Sequence, residues 1–264
     1  MKVIILAAGQ GTRLRPMTDN KPKCMVELNG KALIDWQIET LKKCGVREKD
    51  IYIVTGYKEE VLHSYFKSHA MNFITNKDYM TTNMVCSLMC ARKVLENESD
   101  VIVAYGDIIY SIEVLKALLS SDNDVSIVID EGWYKYWEQR CTNPLDDAET
   151  LRVDKNGNLL EIGQKTEKLS DIQAQYIGLM RFRNTGLKNM LQVSDEANRR
   201  TSEGETLWRT SRVYSNMYMT DLLQGMIEEG YQLKGVQINR GWFEIDCQTD
   251  LQVAEKEMST LGLG

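Results

Sequence analysis

Val3-Ile4-Ile5-Leu6-Ala7-Ala8 runs without a break into Gly9-Gln10-Gly11-Thr12-Arg13-Leu14-Arg15-Pro16. Residues 3–8 are apolar at every position and begin with three β-branched side chains, the pattern of a strand buried on both faces. The glycines that follow permit a tight turn whose backbone N–H groups can approach phosphate oxygens closely. A dinucleotide fingerprint would place a third glycine where Leu14 stands, and a Walker loop would require Gly-Lys-Ser/Thr; both are missing. Arg13 and Arg15 follow the glycines instead, and Lys21-Pro22-Lys23 comes soon after. A strand that empties into a glycine turn ringed by cations predicts an anion site at the carboxyl end of a sheet.

Outward from this stretch, short apolar runs at 51–55, 101–104 and 125–129 read as further buried strands. Between them, Leu33, Ile34, Ile38 and Leu41 fall at helical spacing, as do Val61, Leu62 and Tyr65. The same holds for Met84, Leu88, Ala91 and Leu95, and for Val114, Leu115, Leu118 and Leu119. Alternating strands and helices predict a mostly parallel α/β sheet covered on both faces. After about Asp130 the rhythm changes. Residues 133–149 are aromatic and charged without a clean period, and Asp154-Lys155-Asn156-Gly157-Asn158 reads as a hairpin turn between strands at 151–153 and 159–162. A strand at 176–182, a long helical stretch including 217–229, short strands at 236–238 and 243–245, and a helix at 249–258 complete the reading. With three prolines and no low-complexity tract, residues 1–264 read as one domain. Residues 1–130 would form its nucleotide-binding half, and 131–264 an acceptor-binding, metal-completing half.

Composition narrows the function. The net charge of −6 disfavours a nucleic-acid groove, which is usually basic. No run approaches the ~18 apolar residues of a membrane helix, and the opening run is too short for a signal peptide, so the expected location is the cytoplasm. Six cysteines contain no C-x-x-C pair and read as reduced thiols.

The pattern Leu6-Ala7-Ala8-Gly9-x-Gly11-x-Arg13-Leu14-x-Pro16-x-Thr18, then Pro22-Lys23-x-Met25 and Gly30-Lys31, resembles the sugar-1-phosphate nucleotidylyltransferase-like family of nucleotidyltransferases. The resemblance implies a Rossmann-like mixed sheet in a single domain. It implies a glycine loop, residues Leu6 to Arg13 with Gln10 and Thr12 included, wrapped around a nucleoside triphosphate. Arg13 would meet the leaving pyrophosphate, and Lys23 the reacting phosphate. Tyr105-Gly106-Asp107 falls where the family places a magnesium-binding aspartate, and Glu244-Ile245-Asp246 where it supplies its second metal carboxylate. Glu161-Ile162-Gly163-Gln164-Lys165 and Tyr176-Ile177-Gly178 resemble a strand pair that contributes acceptor contacts through Lys165 and Tyr176.

Thr81-Thr82-Asn83-Met84-Val85-Cys86-Ser87-Leu88 is similar to the phosphocholine cytidylyltransferase-like branch, which implies base or ribose contacts from Thr82, Asn83 and Ser87. Capping is the plainer reading of Thr82 and Asn83, and it is compatible with base contact. Trp133, Trp137 and Arg140 would cover the acceptor, with the rings holding a quaternary ammonium; packing of a lid on the sheet is the alternative. The implied reaction is CTP-dependent, Mg²⁺-assisted transfer of CMP to a small phosphorylated or phosphonylated headgroup. Phosphocholine, an aminoalkylphosphonate and a phosphorylated amino acid or amide stay open, as does self-association. A sugar-1-phosphate enzyme using UTP or dTTP is the alternative. A non-catalytic subunit is disfavoured, because binding alone has no need of Arg13, Lys23, Asp107 and Asp246 together.

Overall fold

The computed structural model describes residues 1–262 of the chain. Strand Lys2–Leu6 lies at its centre, paired in parallel with Ile51–Thr55 on one side and Asp100–Tyr105 on the other. Asn72–Thr75 extends the parallel run to one edge. Beyond Asp100–Tyr105 the sheet turns mixed: Gln175–Arg183 inserts antiparallel between it and Val125–Asp130. Lys234–Ile238 closes the other edge in parallel with Val125–Asp130. The result is a seven-stranded, mostly parallel sheet.

Apolar layers cover both faces. Leu33, Ile34 and Leu41 of helix Leu33–Lys43 and Leu115 and Leu118 of helix Ile112–Leu119 pack on one face. Val85 and Leu88, Leu187 and Met190, and Leu222 and Met226 pack on the other. Each helix reaches the sheet through one apolar stripe, as the spacing of these residues requires. Helix Ile112–Leu119 starts where the Ser111 hydroxyl accepts from the Val114 N–H at 3.3 Å.

Several elements differ from the sequence expectation. The first strand stops at Leu6, so Ala7 and Ala8 belong to the loop, although the Ala7 N–H still bonds the Val54 carbonyl at 2.9 Å. The period through Met84 and Leu95 is split at Ala91 into helices Met84–Cys90 and Arg92–Asn97. Residues 133–140, which show no clean period, form helix Trp133–Arg140. The stretch including 217–229 resolves into helix Met219–Glu228, preceded by the separate helix Asn184–Ser202. All six cysteines are free.

A two-stranded sheet outside the main one positions the site. Ile108–Tyr110, just after the sixth residue of Asp100–Tyr105, pairs antiparallel with Trp242–Glu244. The Ile245 N–H then donates to the Asp107 carbonyl at 2.9 Å. This pairing carries the segment after Glu244 to the carboxyl end of the central strands.

Candidate active site

The glycine turn and Lys23 are built against each other. Gly11 sits at φ 62°, and a Cβ there would lie 2.8 Å from Lys23 Cβ. The buried Thr18 hydroxyl donates to the Gly11 carbonyl at 2.8 Å and pins the turn. Only glycine meets both demands, the left-handed backbone and the closeness of the lysine stem. The loop then enters a short 3₁₀ turn, Thr12–Leu14, which buries Leu14 and throws Arg13 outward.

A pocket opens beside this loop. Leu6, Ala7, Ala8 and Gly9 form one wall, and Thr82, Asn83, Met84 and Ser87 the facing one. Lys23, Tyr105 and Asp107 stand at its third side, while Gln10 and Thr12 lie on the loop outside the lining. The Asn83 Oδ1 accepts from the Met84 N–H at 2.9 Å and caps the helix. Two residues the sequence did not flag complete this wall. Asn76, buried, donates to both Thr82 Oγ1 and Ser87 Oγ at 3.0 Å, and so fixes the two hydroxyls. Tyr79 lines the pocket and packs over Gly56. Asn76 follows an edge strand too polar to read as a strand, which removes the one local signal for it.

At the mouth, Asp107, Glu244 and Asp246 offer carboxylate oxygens that all lie within 4.8 Å of one another. Lys23 Nζ donates to Asp107 Oδ2 at 2.5 Å and also to Asp246 Oδ1. Arg13 reaches Asp246 Oδ2 at 2.5 Å. Burial works against the charged form of Lys23, yet Asp107 and Asp246 more than reverse it and hold the ammonium protonated. Burial likewise opposes the Asp246 carboxylate, and Lys23 and Arg13 hold it below its ordinary value. Glu244 behaves differently: burial pushes it up to about 7, against the pull of Arg140. The other oxygen of Asp107, Oδ1, is buried without a hydrogen-bond partner. Three converging hard-oxygen ligands, one with an orphaned buried oxygen, fit a divalent cation.

The aromatic segment corrects the sequence expectation. Trp133, Tyr136 and Trp137 are 3%, 1% and 4% exposed and stack edge-on among themselves and with Trp242 and Phe243. They are core, because an amphipathic helix turns its widest apolar side chains toward the sheet. Trp133 and Trp137 therefore offer no open ring to an acceptor. Arg140 is sealed too, its side chain 4% exposed, with Nη2 on Glu244 and Nε on Asp250, both at 2.8 Å. It backs Glu244, one of the three clustered carboxylates. Lys165 reaches the carbonyls of Asp146 and Asp147 at 3.3 and 2.9 Å, and Tyr176 meets Tyr105 edge-on at 5.7 Å. Neither lines the pocket, although Tyr176 adjoins it through Tyr105.

Comparison with known proteins agrees with this architecture. The family described as MobA-like NTP transferase domain matches residues 3–165. A CTP:phosphoglutamine cytidylyltransferase of Campylobacter jejuni is 39% identical over 258 residues, 96% of this chain and 98% of that protein. A choline-phosphate cytidylyltransferase of Streptococcus pneumoniae is 44% identical over 97 residues, 37% of this chain and 42% of that one. Two solved structures share the fold. CTP:phosphocholine cytidylyltransferase from Streptococcus pneumoniae gives a TM-score of 0.71 at 24% identity, covering 97% of this chain and 98% of that one. The inositol-1-phosphate CTP transferase from T. maritima gives 0.73 at 19% identity, covering 98% and 95%. With its glycine loop, its clustered carboxylates and a relative matched along nearly the whole length, the chain belongs to the MobA-like NTP transferase domain family and is a nucleotidyltransferase.

Proposed function

We propose that the protein transfers CMP from CTP to a small phosphorylated or phosphonylated headgroup and releases pyrophosphate. The observation that carries this reading is the convergence of Lys23 and Arg13 with Asp107, Glu244 and Asp246 at the mouth of the loop-lined pocket. Such a centre handles anions on both sides of a bond. CTP as donor is favoured by the cytidylyltransferase relatives, and Asn76, Thr82 and Ser87 offer a fixed polar wall for the base.

In the proposed step an acceptor phosphate oxygen attacks the α-phosphorus. A new P–O bond forms, the bond to the β-phosphate bridging oxygen breaks, and pyrophosphate leaves with that electron pair. A phosphomonoester is largely ionised at neutral pH, its second pKa being about 6, so no protein base is required. The chain's task is to align two anions and offset their charge. Loop N–H groups hold the triphosphate, Lys23 swings from the carboxylates toward the reacting phosphate, and Arg13 accompanies the departing pyrophosphate. Asp107, Glu244 and Asp246 would hold Mg²⁺, which supplies charge neutralisation and Lewis acidity when bound.

The test is pyrophosphate release by the purified protein with Mg²⁺ and each of CTP, UTP and dTTP, against a panel of phosphorylated acceptors. A misplaced base leaves a buried polar group unpaired, at ~1–3 kcal/mol. CTP should therefore exceed UTP by at least about tenfold in kcat/KM. Equal use of CTP and UTP, or a preference for UTP or dTTP with sugar 1-phosphates, overturns the reading.

A further inference from the structure

One buried amide sets the wall of the pocket that faces the glycine loop. Asn76 follows strand Asn72–Thr75, donates its N–H to the Thr55 carbonyl at 2.8 Å, and is 3% exposed. The Asp78 N–H donates to its Oδ1 at 3.0 Å, while Nδ2 lies 3.0 Å from both Thr82 Oγ1 and Ser87 Oγ. A backbone N–H can only donate, so the amide atom that it meets is the oxygen. Nδ2 therefore gives both of its protons to the two hydroxyls, and each hydroxyl oxygen must accept.

The two hydroxyls differ in what they keep. Thr82 donates its own proton to the Asp78 carbonyl at 2.8 Å and has none left for a ligand. Ser87, 7% exposed, lines the pocket, and among the described residues its hydroxyl donates to no group. Its proton cannot turn toward Asn76, which already donates to the same oxygen. Asn83 is placed similarly: Oδ1 accepts from the Met84 N–H at 2.9 Å, and Nδ2 donates to none of the described residues. A buried hydroxyl with an unspent proton is costly until a ligand accepts from it. The protons that this wall still has to offer are those of Ser87 and Asn83.

We infer that Asn76 is a positioning residue for the nucleotide base: by donating to Ser87 Oγ it keeps the Ser87 proton for the ligand, and so selects a base with an acceptor at that point. The inference rests on the cytidylyltransferase reading for what fills the pocket, and adds the residue that controls the choice. Cytosine meets such a proton with an unprotonated ring nitrogen. The same nitrogen of uracil carries a hydrogen and would face the serine donor to donor. Asn76 is not among the residues lining the pocket, so it acts on the base only through the serine. Aspartate has the same shape but, ionised, no proton to give. In Asn76→Asp the Asp78 N–H keeps its acceptor, Ser87 donates to the carboxylate, and the serine oxygen turns its lone pairs toward the ligand. The wall then favours a protonated ring nitrogen.

The test is calorimetric binding of CTP and of UTP, each with Mg²⁺, to the whole protein and to Asn76→Asp, Ser87→Ala and the double variant. A mispaired donor corresponds to roughly 5- to 150-fold in affinity. Wild type should bind CTP at least about tenfold more tightly than UTP, and Asn76→Asp should lower that ratio by at least about tenfold. Ser87→Ala should lower it by about fivefold or more. Adding Asn76→Asp to Ser87→Ala should then move the ratio by less than about twofold, because no hydroxyl is left to act through. A merely structural role would weaken both nucleotides together and leave the ratio alone. An unmoved ratio in Asn76→Asp, an undiminished effect in the Ser87→Ala background, or equal binding of CTP and UTP to wild type overturns the inference. Should Asn76→Asp lose its cooperative melt, Asn76→Ala, which removes the donor without adding charge, takes its place; it should still lower the ratio, and an unmoved one overturns the inference. Pyrophosphate release with phosphorylated acceptors separates the two readings. A ratio that follows Asn76 in a protein that releases none sustains the positioning role while the transferase reading falls.

Discussion

Arg140→Met is the perturbation that most sharply separates the structure from the sequence reading. Arg140 faces Glu244 through Nη2 and Asp250 through Nε, and its guanidinium lies 4.8 Å from the centroid of the Trp137 ring. Asp250 in turn accepts from the Asp246 and Cys247 N–H groups at 2.8 and 2.9 Å, which fixes the start of helix Gln248–Glu257. Methionine would fill the volume but leave two carboxylates without a counter-charge in a largely dry region. Removing one partner of a buried ion pair costs about 3–5 kcal/mol. For 264 residues the unfolding entropy is roughly 0.55 kcal/mol per kelvin, so the melting temperature should fall by about 5–9 °C. The affinity for Mg²⁺ should weaken as well, because Glu244 loses its orientation. Thermal unfolding and Mg²⁺ titration of turnover would measure both, alongside the KM for the acceptor. An unchanged melting temperature with a raised acceptor KM would refute this reasoning and return Arg140 to the acceptor contact that the sequence suggests.

Further outcomes follow from other parts of the site. Arg13→Ala should lower kcat by orders of magnitude while shifting the melting temperature by no more than about 1 °C, since its side chain is 65% exposed and its ion pair contributes little to stability; near-normal turnover would sink its role at the pyrophosphate. Glu149 has a folded-state value of about 7 against an ordinary 4.5, so its proton is lost from the unfolded chain first and wild-type stability falls as pH rises between those values. Glu149→Gln should match wild type below pH 4.5 and exceed it by roughly 2–3 kcal/mol above pH 7, and parallel denaturation curves across that range would contradict it. Asp107→Asn should abolish Mg²⁺ binding along with turnover, and isothermal titration with the metal alone would show the lost binding as lost heat; undiminished heat would contradict it.

The parts of this molecule that the sequence revealed are those whose cause is local. Residues 3–6 and 51–55 are apolar on both faces because helices cover both, and such runs are visible without any partner. The glycine loop was legible for a similar reason: Gly11 and Arg13 sit within one turn, and their chemistry needs no distant residue to be recognised. Asn72–Thr75 was not legible, because it lies at the sheet edge, half-buried throughout, with polar residues at both ends. Trp133, Trp137 and Arg140 looked like acceptor contacts because aromatic rings and a guanidinium suit a zwitterion as well as a core. What decides between those uses is the burial of the helix against Trp242 and Phe243, more than a hundred residues later, which no spacing encodes. Asn76 and Tyr79 went unnoticed on the same ground: each is an ordinary loop residue until the fold sets it against Thr82 and Ser87 or over Gly56.

The pairing of Ile108–Tyr110 with Trp242–Glu244 has a consequence for how the protein is made. A ribosome lays down the glycine loop, Lys23 and Asp107 well before it reaches Glu244 and Asp246. Throughout that interval the nascent chain can assemble the parallel strands and the loop-lined pocket, yet it holds only one of the three carboxylates that converge in the finished fold. Contacts so distant along the chain close late. Catalytic competence is thereby tied to completed translation, and a chain cut short anywhere before residue 242 would be inert toward its triphosphate instead of consuming it without control.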